Sequence, residues 1–169
     1  MRKAMLLAIL ALSGCATLPP APSAASAPAE PVGLTIKSWG KPLFDWTLGP
    51  DGTGVYTYAD EGPTKAFRDY VLKTKRISVG RDGYARLAAL LAPARRYAGA
   101  TLPCQRTITD MPYGTISWGA TPDLRVKFDL GCQSAETKPV HEGLVQAQDL
   151  MKSWADAAPV VETRPGSQE

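Results

Sequence analysis

One histidine, a set of aspartates in turn-like settings and several aromatic residues are the groups through which this 169-residue chain could act on a small molecule. His141 is the sole histidine, so any Ser-His-Asp or Cys-His mechanism has to run through it. It falls in the first turn of a C-terminal helix, one position from that helix's apolar stripe, which predicts a solvent-exposed ring. Asp45, Asp51, Asp60 and Asp110 could supply a carboxylate pair for hydrolysis. Each also reads as a turn residue or as the solvated side of a strand. No Gly-x-Ser-x-Gly elbow, P-loop, dinucleotide-binding glycine fingerprint or HExxH helix occurs. Trp39, Trp46, Tyr56, Tyr58 and Trp118 could stack on a sugar, but Phe44 and Trp46 sit at the strand parity where core belongs. The expectation is no catalytic residue, no metal and no cofactor.

Chemistry of a different kind is written at the N-terminus. Arg2 and Lys3 precede an unbroken apolar run from Ala4 to Leu12. It is far short of the roughly 20 residues that span a bilayer and reads as the core of a signal peptide over residues 1–14. Leu12-Ser13-Gly14-Cys15 follows, and all four positions resemble the lipobox of bacterial lipoproteins. That resemblance implies cleavage between Gly14 and Cys15 and a diacylglyceryl group on the Cys15 thiol. It implies a permanent membrane anchor too, because two or more acyl chains hold where one binds only marginally. Ala16, standing where an aspartate would retain the protein at the inner membrane, favours the outer membrane facing the periplasm. Residues 15–32 then form the lipidated cysteine and a tether, with Ala or Pro at 11 of the 17 positions after Cys15. Extended, those residues reach roughly 50 Å.

With Cys15 assigned to lipid, Cys104 and Cys132 remain. An even pair in an exported domain reads as a disulfide. Closing so long a loop stabilises by roughly 3–4 kcal/mol on chain-entropy grounds. A zinc site is the rival reading, but zinc wants more thiols or imidazoles at short spacing.

Charge separates by segment. Without Arg2 and Lys3 the chain keeps 17 basic and 16 acidic residues. Residues 65–96 hold nine basic residues against Asp69 and Asp82, so that segment is +7 and the rest is −6. Lys73, Lys75, Arg76, Arg81 and Arg86 are therefore the candidate anion-binding face. The partner classes it suggests are an anionic envelope component or an acidic protein. Nucleic acid is excluded by the exported address. A solvated strand edge and helix back is the plainer reading of the same charges.

These residues need a scaffold, and its pattern is legible. Leu34–Ser38 and Leu43–Leu48 read as strands, and the second is joined by Gly49-Pro-Asp-Gly52 to a third at Gly54–Tyr58. Residues 66–78 read as a long strand with a bulge or an exposed edge. A helix is predicted from about Val79 to Ala92, with an Asp82–Arg86 pair at i,i+4. Strands follow at Gln105–Thr109, Tyr113–Gly119 and Leu124–Leu130. Thr137 is placed to cap a last helix whose stripe is Val140, Leu144, Ala147, Met151 and Trp154. The order predicts an α+β domain over 33–158, a mainly antiparallel sheet with two helices on one face, and a flexible tail over 159–169. The Asp-Gly turn with Gly-x-Tyr at 51–56 and Thr109-Asp110-Met111-Pro112 are similar to stretches of small uncharacterised bacterial envelope lipoproteins. That likeness implies no activity. The expectation is a lipid-anchored, non-catalytic binding or structural domain. The alternatives are an inhibitor of an envelope lytic enzyme or protease, and a small hydrolase using Asp carboxylates.

Overall fold

Apolar residues at every second position build the first strands. Val32, Leu34 and Ile36 in β1 (Val32–Ser38) are buried, as are Trp46 and Leu48 in β2 (Lys41–Leu48). The computed structural model describes residues 30–63 and 69–166. β3 (Thr53–Asp60) and β4 (Val71–Ser78) continue the meander, followed by α1 (Gly80–Leu91). Next come a two-residue β5 (Arg106–Thr107), β6 (Tyr113–Trp118) and β7 (Arg125–Asp129). A short β8 (Cys132–Gln133), α2 (Lys138–Asp156) and β9 (Val160–Pro165) complete the order.

Seven strands form one antiparallel sheet in the order β7-β6-β1-β2-β3-β4-β9, and β5 pairs with β8 alone. Register aligns the core across it: Leu34 lies opposite Trp46 on one side and Ile116 on the other, and Ile116 opposes Val126. Leu87 and Leu91 of α1 join that core with Val140, Leu144, Ala147 and Met151 of α2. Both helices thus cover one face of the sheet, the predicted two-layer α+β architecture. Residues of the opposite parity, among them Thr35, Asp45, Thr115 and Lys127, form the open face.

Two glycines set how closely the helices meet each other and the sheet. A Cβ on Gly143 in α2 would lie 2.1 Å from the Leu90 carbonyl oxygen of α1, so the helix pair packs backbone to side-chain-free backbone there. Gly52, at φ 79°, turns the β2–β3 hairpin under the start of α1, and its carbonyl accepts the Val79 N–H at 2.9 Å.

Several expectations are corrected. Residues 160–165 are not a frayed tail but the edge strand β9 on β4, exposed on both sides and held by main-chain pairing. The folded unit also begins one residue earlier, at Val32. The long strand shortens to β4, with its irregularity between Thr74 and Lys75 against β9. Gln105–Thr109 contributes only two paired residues, and these lie outside the main sheet. Thr137 precedes α2 but makes no capping bond; its buried hydroxyl donates back to the Ser134 carbonyl at 3.4 Å. Asp82 and Arg86 form no ion pair, whereas Lys138–Glu142 and Lys152–Asp156 do at the same spacing.

Candidate functional site

Cys104 and Cys132 stand at disulfide distance, with Cα atoms 5.3 Å apart. The β5–β8 bridge adds to that tie, placing Arg106 opposite Gln133 and Thr107 opposite Cys132. The Ile108 N–H donates to the Gly131 carbonyl at 2.8 Å. These links hold residues 105–108 beside the start of α2. A depression of about 580 Å³ opens between them, with Gln105, Arg106, Ser134, Lys138, His141 and Glu142 among its lining.

Two atoms give this pocket its character. Ser134 Oγ and His141 Nε2 are the buried side-chain polar atoms that lack a hydrogen-bond partner among the described residues. Both residues line the same pocket. Leaving such a group unpaired costs about 1–3 kcal/mol, so the site carries unspent hydrogen-bonding capacity. Burial holds the His141 pKa below the ordinary histidine value, and the Asp129 carboxylate pulls weakly the other way. The pocket is therefore lined by His141, whose neutral form is favoured, and by Ser134, Arg106 and Lys138, with the unpartnered Nε2 and Oγ atoms buried just beneath its surface. Lys138 lies 3.7 Å from Glu142. This arrangement can hold a small polar ligand and steer an acidic group toward Arg106. Ser134 and His141 are not hydrogen-bonded to each other, so the pair is not set up as nucleophile and base.

The solvent-exposed ring expected for His141 is corrected here: the ring is half-buried and its Nε2 sealed. Its own helix does not bury it. Arg106 and Ser134, which line the same pocket, are distant from it in sequence or outside its helix, and nothing in the local helical pattern signals them.

The candidate anion-binding residues are not brought together as one face. Alternation turns Lys73 and Lys75 toward the helix side of β4 and Arg76 to the open face. Lys75 donates to the Ala155 carbonyl at 2.8 Å in the last turn of α2, satisfying a helix end that carries no basic residue of its own. Lys73 pairs with Asp60, which lowers the Asp60 carboxyl and raises the Lys73 amine. Arg81 and Arg86 are exposed on α1. The candidates Lys73, Lys75 and Arg76 therefore fail as a single surface for the reason strands alternate. Lys65 and Arg68, of the same basic segment, lie outside the described residues, as does Cys15, the expected lipidation site.

The four aspartates do not converge either. Asp45 accepts from the Thr35 hydroxyl on the open face. Asp51, in the β2–β3 turn, has its pKa lowered by bonds from the Thr53 amide and hydroxyl. Asp60 ends the following strand, and Asp110 sits in the 105–112 loop at φ 66°. A general acid needs a raised pKa, the opposite of what Asp51 and Asp60 have.

Of the aromatic set, Trp46, Tyr56 and Trp118 are core. Gln148 joins the first two, accepting from Trp46 Nε1 at 2.9 Å and donating to the Tyr56 hydroxyl at 3.1 Å. Tyr58 is half-buried beside them, and Trp39 alone is widely exposed, at a hairpin tip with φ 51°. Among the described residues no group of three His, Cys, Asp or Glu side chains is placed to hold a metal ion. Comparison with protein-family models, with characterised proteins and with solved structures finds no match to this chain.

Proposed function

We propose that the protein is a lipid-anchored domain of the bacterial envelope, held at Cys15, that binds a small polar ligand or a partner's acidic group without catalysing a reaction. The observation that carries the binding reading is the pair of unpartnered buried atoms, Ser134 Oγ and His141 Nε2, on one pocket beside Arg106 and Lys138. The address is supported by Leu12-Ser13-Gly14-Cys15 and by a cysteine pair of the kind exported domains use.

Labelled-palmitate incorporation with mass spectrometry of the mature N-terminus tests the anchor. A lipidated Cys15 is expected, and a free Ala16 or an intact Met1 overturns it. Cross-linking and pull-down from envelopes tests the pocket: the parent should recover a species that the Ser134→Ala/His141→Phe double variant loses. Equal recovery overturns the pocket as the binding site.

A second reading, an inhibitor of an envelope lytic enzyme or protease, is favoured by one observation. The loop tied at Cys104–Cys132 displays Ile108 and Met111 at 46% and 42% exposure, with Tyr113 just beyond. Inhibition of such an enzyme that is lost on Met111→Asp, with the pocket variant unaffected, would select that reading.

A further inference from the structure

On the open face, near the edge of the sheet, Arg125 and Lys127 project from β7 on the same side, two residues and about 6.6 Å apart. They line a depression of about 410 Å³ together with the hydroxyl residues Thr101 and Thr115. Both are exposed, and neither forms an ion pair among the described residues. Asp123, whose carbonyl lies beside Gly99, does not pair with either, and Asp45, two strands from Thr115, is engaged by Thr35. The edge beside them is already filled. The Gly99 N–H donates to the Arg125 carbonyl at 2.8 Å, and Leu102 and Lys127 exchange bonds with Lys127 and Ala100. The depression thus sets two cations without an ion pair among the described residues beside two hydroxyls, within the roughly 8 Å over which salt screens charge. Asp129, two residues beyond Lys127 on the same side of β7, accepts from the Gly131 N–H.

Its position says what it faces. Arg125 lies opposite Ser117, and Ser117 lies opposite Gly33, two residues after the Pro31 carbonyl that accepts the Gly119 N–H. Gly33, near the start of β1, therefore lies about 10 Å, two strand spacings, from Arg125, while Glu30, where the described chain begins, is held on the helix side by Tyr84 and Arg95. The patch thus lies at the end of the sheet where the described chain enters, within reach of a membrane to which that end is tethered.

We propose that Arg125 and Lys127, with Thr101 and Thr115, form a docking surface for the phosphate headgroups of the anionic membrane that carries the chain. The proposal rests on the anchored reading for its orientation and on charge and position for its chemistry.

The test uses the full chain reconstituted in vesicles, with lysine acylation read by mass spectrometry at Lys127 against Lys138. In phosphatidylglycerol vesicles Lys127 should react more slowly than in phosphatidylcholine vesicles by on the order of fivefold, the effect of one basic residue at an anionic surface. Lys138 should change little, and added salt should erase the difference. Arg125→Glu should return Lys127 to its reactivity on phosphatidylcholine, with circular dichroism checking the fold and Arg125→Gln used if the reversal disturbs it. Equal Lys127 reactivity on both lipids overturns the proposal. Protection by inorganic phosphate without vesicles, to the same extent, overturns the membrane as the source of the anion. Flotation with phosphatidylcholine vesicles reads the anchor separately: a chain that does not float there lacks the anchor, while its Lys127 ratio on phosphatidylglycerol still decides the surface.

Discussion

Lys75 on β4 and Lys127 on β7 are the same side chain on strands of the same sheet, and the fold puts them to opposite use. Lys75 points to the helix side, where it bonds the last turn of α2 and lies 5.9 Å from the centroid of the Tyr58 ring. Lys127 points away from the helices into an open depression beside Arg125. The segment around Lys75 is the most basic in the sequence, and the segment around Lys127 is unremarkable. What decides whether a charge is available is its strand parity and what the opposite layer presents, not the charge density of its neighbourhood. Lys41 makes the same point at the extreme: it is 1% exposed, paired with Glu61 and 4.9 Å from the Tyr70 ring centroid.

The largest expected effect separates the two ends of the sheet. Cys132 follows β7 closely, so replacing Cys104 and Cys132 by alanine should cost about 2–5 kcal/mol in urea unfolding. Hydrogen exchange should quicken over residues 101–113 and leave the β3–β4 pairing slow. Uniform acceleration would mean that the two ends unfold as one unit and that the contrast between them is not energetic.

Next in size is the direct exchange of the two lysines. Lys75→Met removes a charge-assisted bond to a helix carbonyl and should cost about 1.5–3 kcal/mol. Lys127→Met should stay within about 0.5 kcal/mol, as exposed substitutions do. Matching losses in thermal melts would break the comparison outright. A consequence follows for charge reversal of Lys73, Lys75 and Arg76 together: lost binding in that variant would report a damaged α2 end as readily as a lost surface.

A pH titration sharpens the comparison on the side of β7. The folded-state pKa of His141 is lowered by burial, so protons bind more tightly to the unfolded chain. Stability from this group is complete above the unfolded value of about 6.5 and is lost as pH falls below it toward the folded value. Denaturation midpoints measured across that range should fall in the parent and fall less in His141→Gln. Asp129, at the end of β7, opposes the shift, so Asp129→Asn should deepen the acid loss.

The smallest effect is expected at Lys73. Its partner Asp60 is a third exposed, as it is itself, so solvent screens the pair. Lys73→Gln should lower the melting temperature less than Lys75→Met does, and a larger drop would show that Lys73 carries the β3–β4 end of the sheet.

Much of this fold is legible residue by residue. Val32, Leu34 and Ile36, or Val126 and Phe128, announce a one-sided strand because the pleat repeats every two residues. Val140, Leu144, Ala147 and Met151 announce a helix face for the equivalent reason. The strand β9 was not legible, because all six of its residues are exposed and it is held by backbone bonds that leave no apolar pattern. The pocket was half legible: Cys104, Cys132 and His141 stand out by type, but Ser134 and Arg106 do not.

Sequence alone therefore determines the periodicities, the two-layer class they imply, and the presence of a lone histidine and of two cysteines besides Cys15. These are local properties, fixed by φ and ψ preferences and by which side chains leave water. Tertiary structure alone decides that His141 is partly covered, that Lys75 is spent on a helix end, and that Arg125 and Lys127 stand without an ion pair among the described residues. Each of these depends on residues distant in sequence arriving at the same place, 80 positions apart for Lys75 and Ala155. Electrostatic and hydrogen-bond energies depend on that spatial separation and on burial, neither of which the order of residues encodes locally.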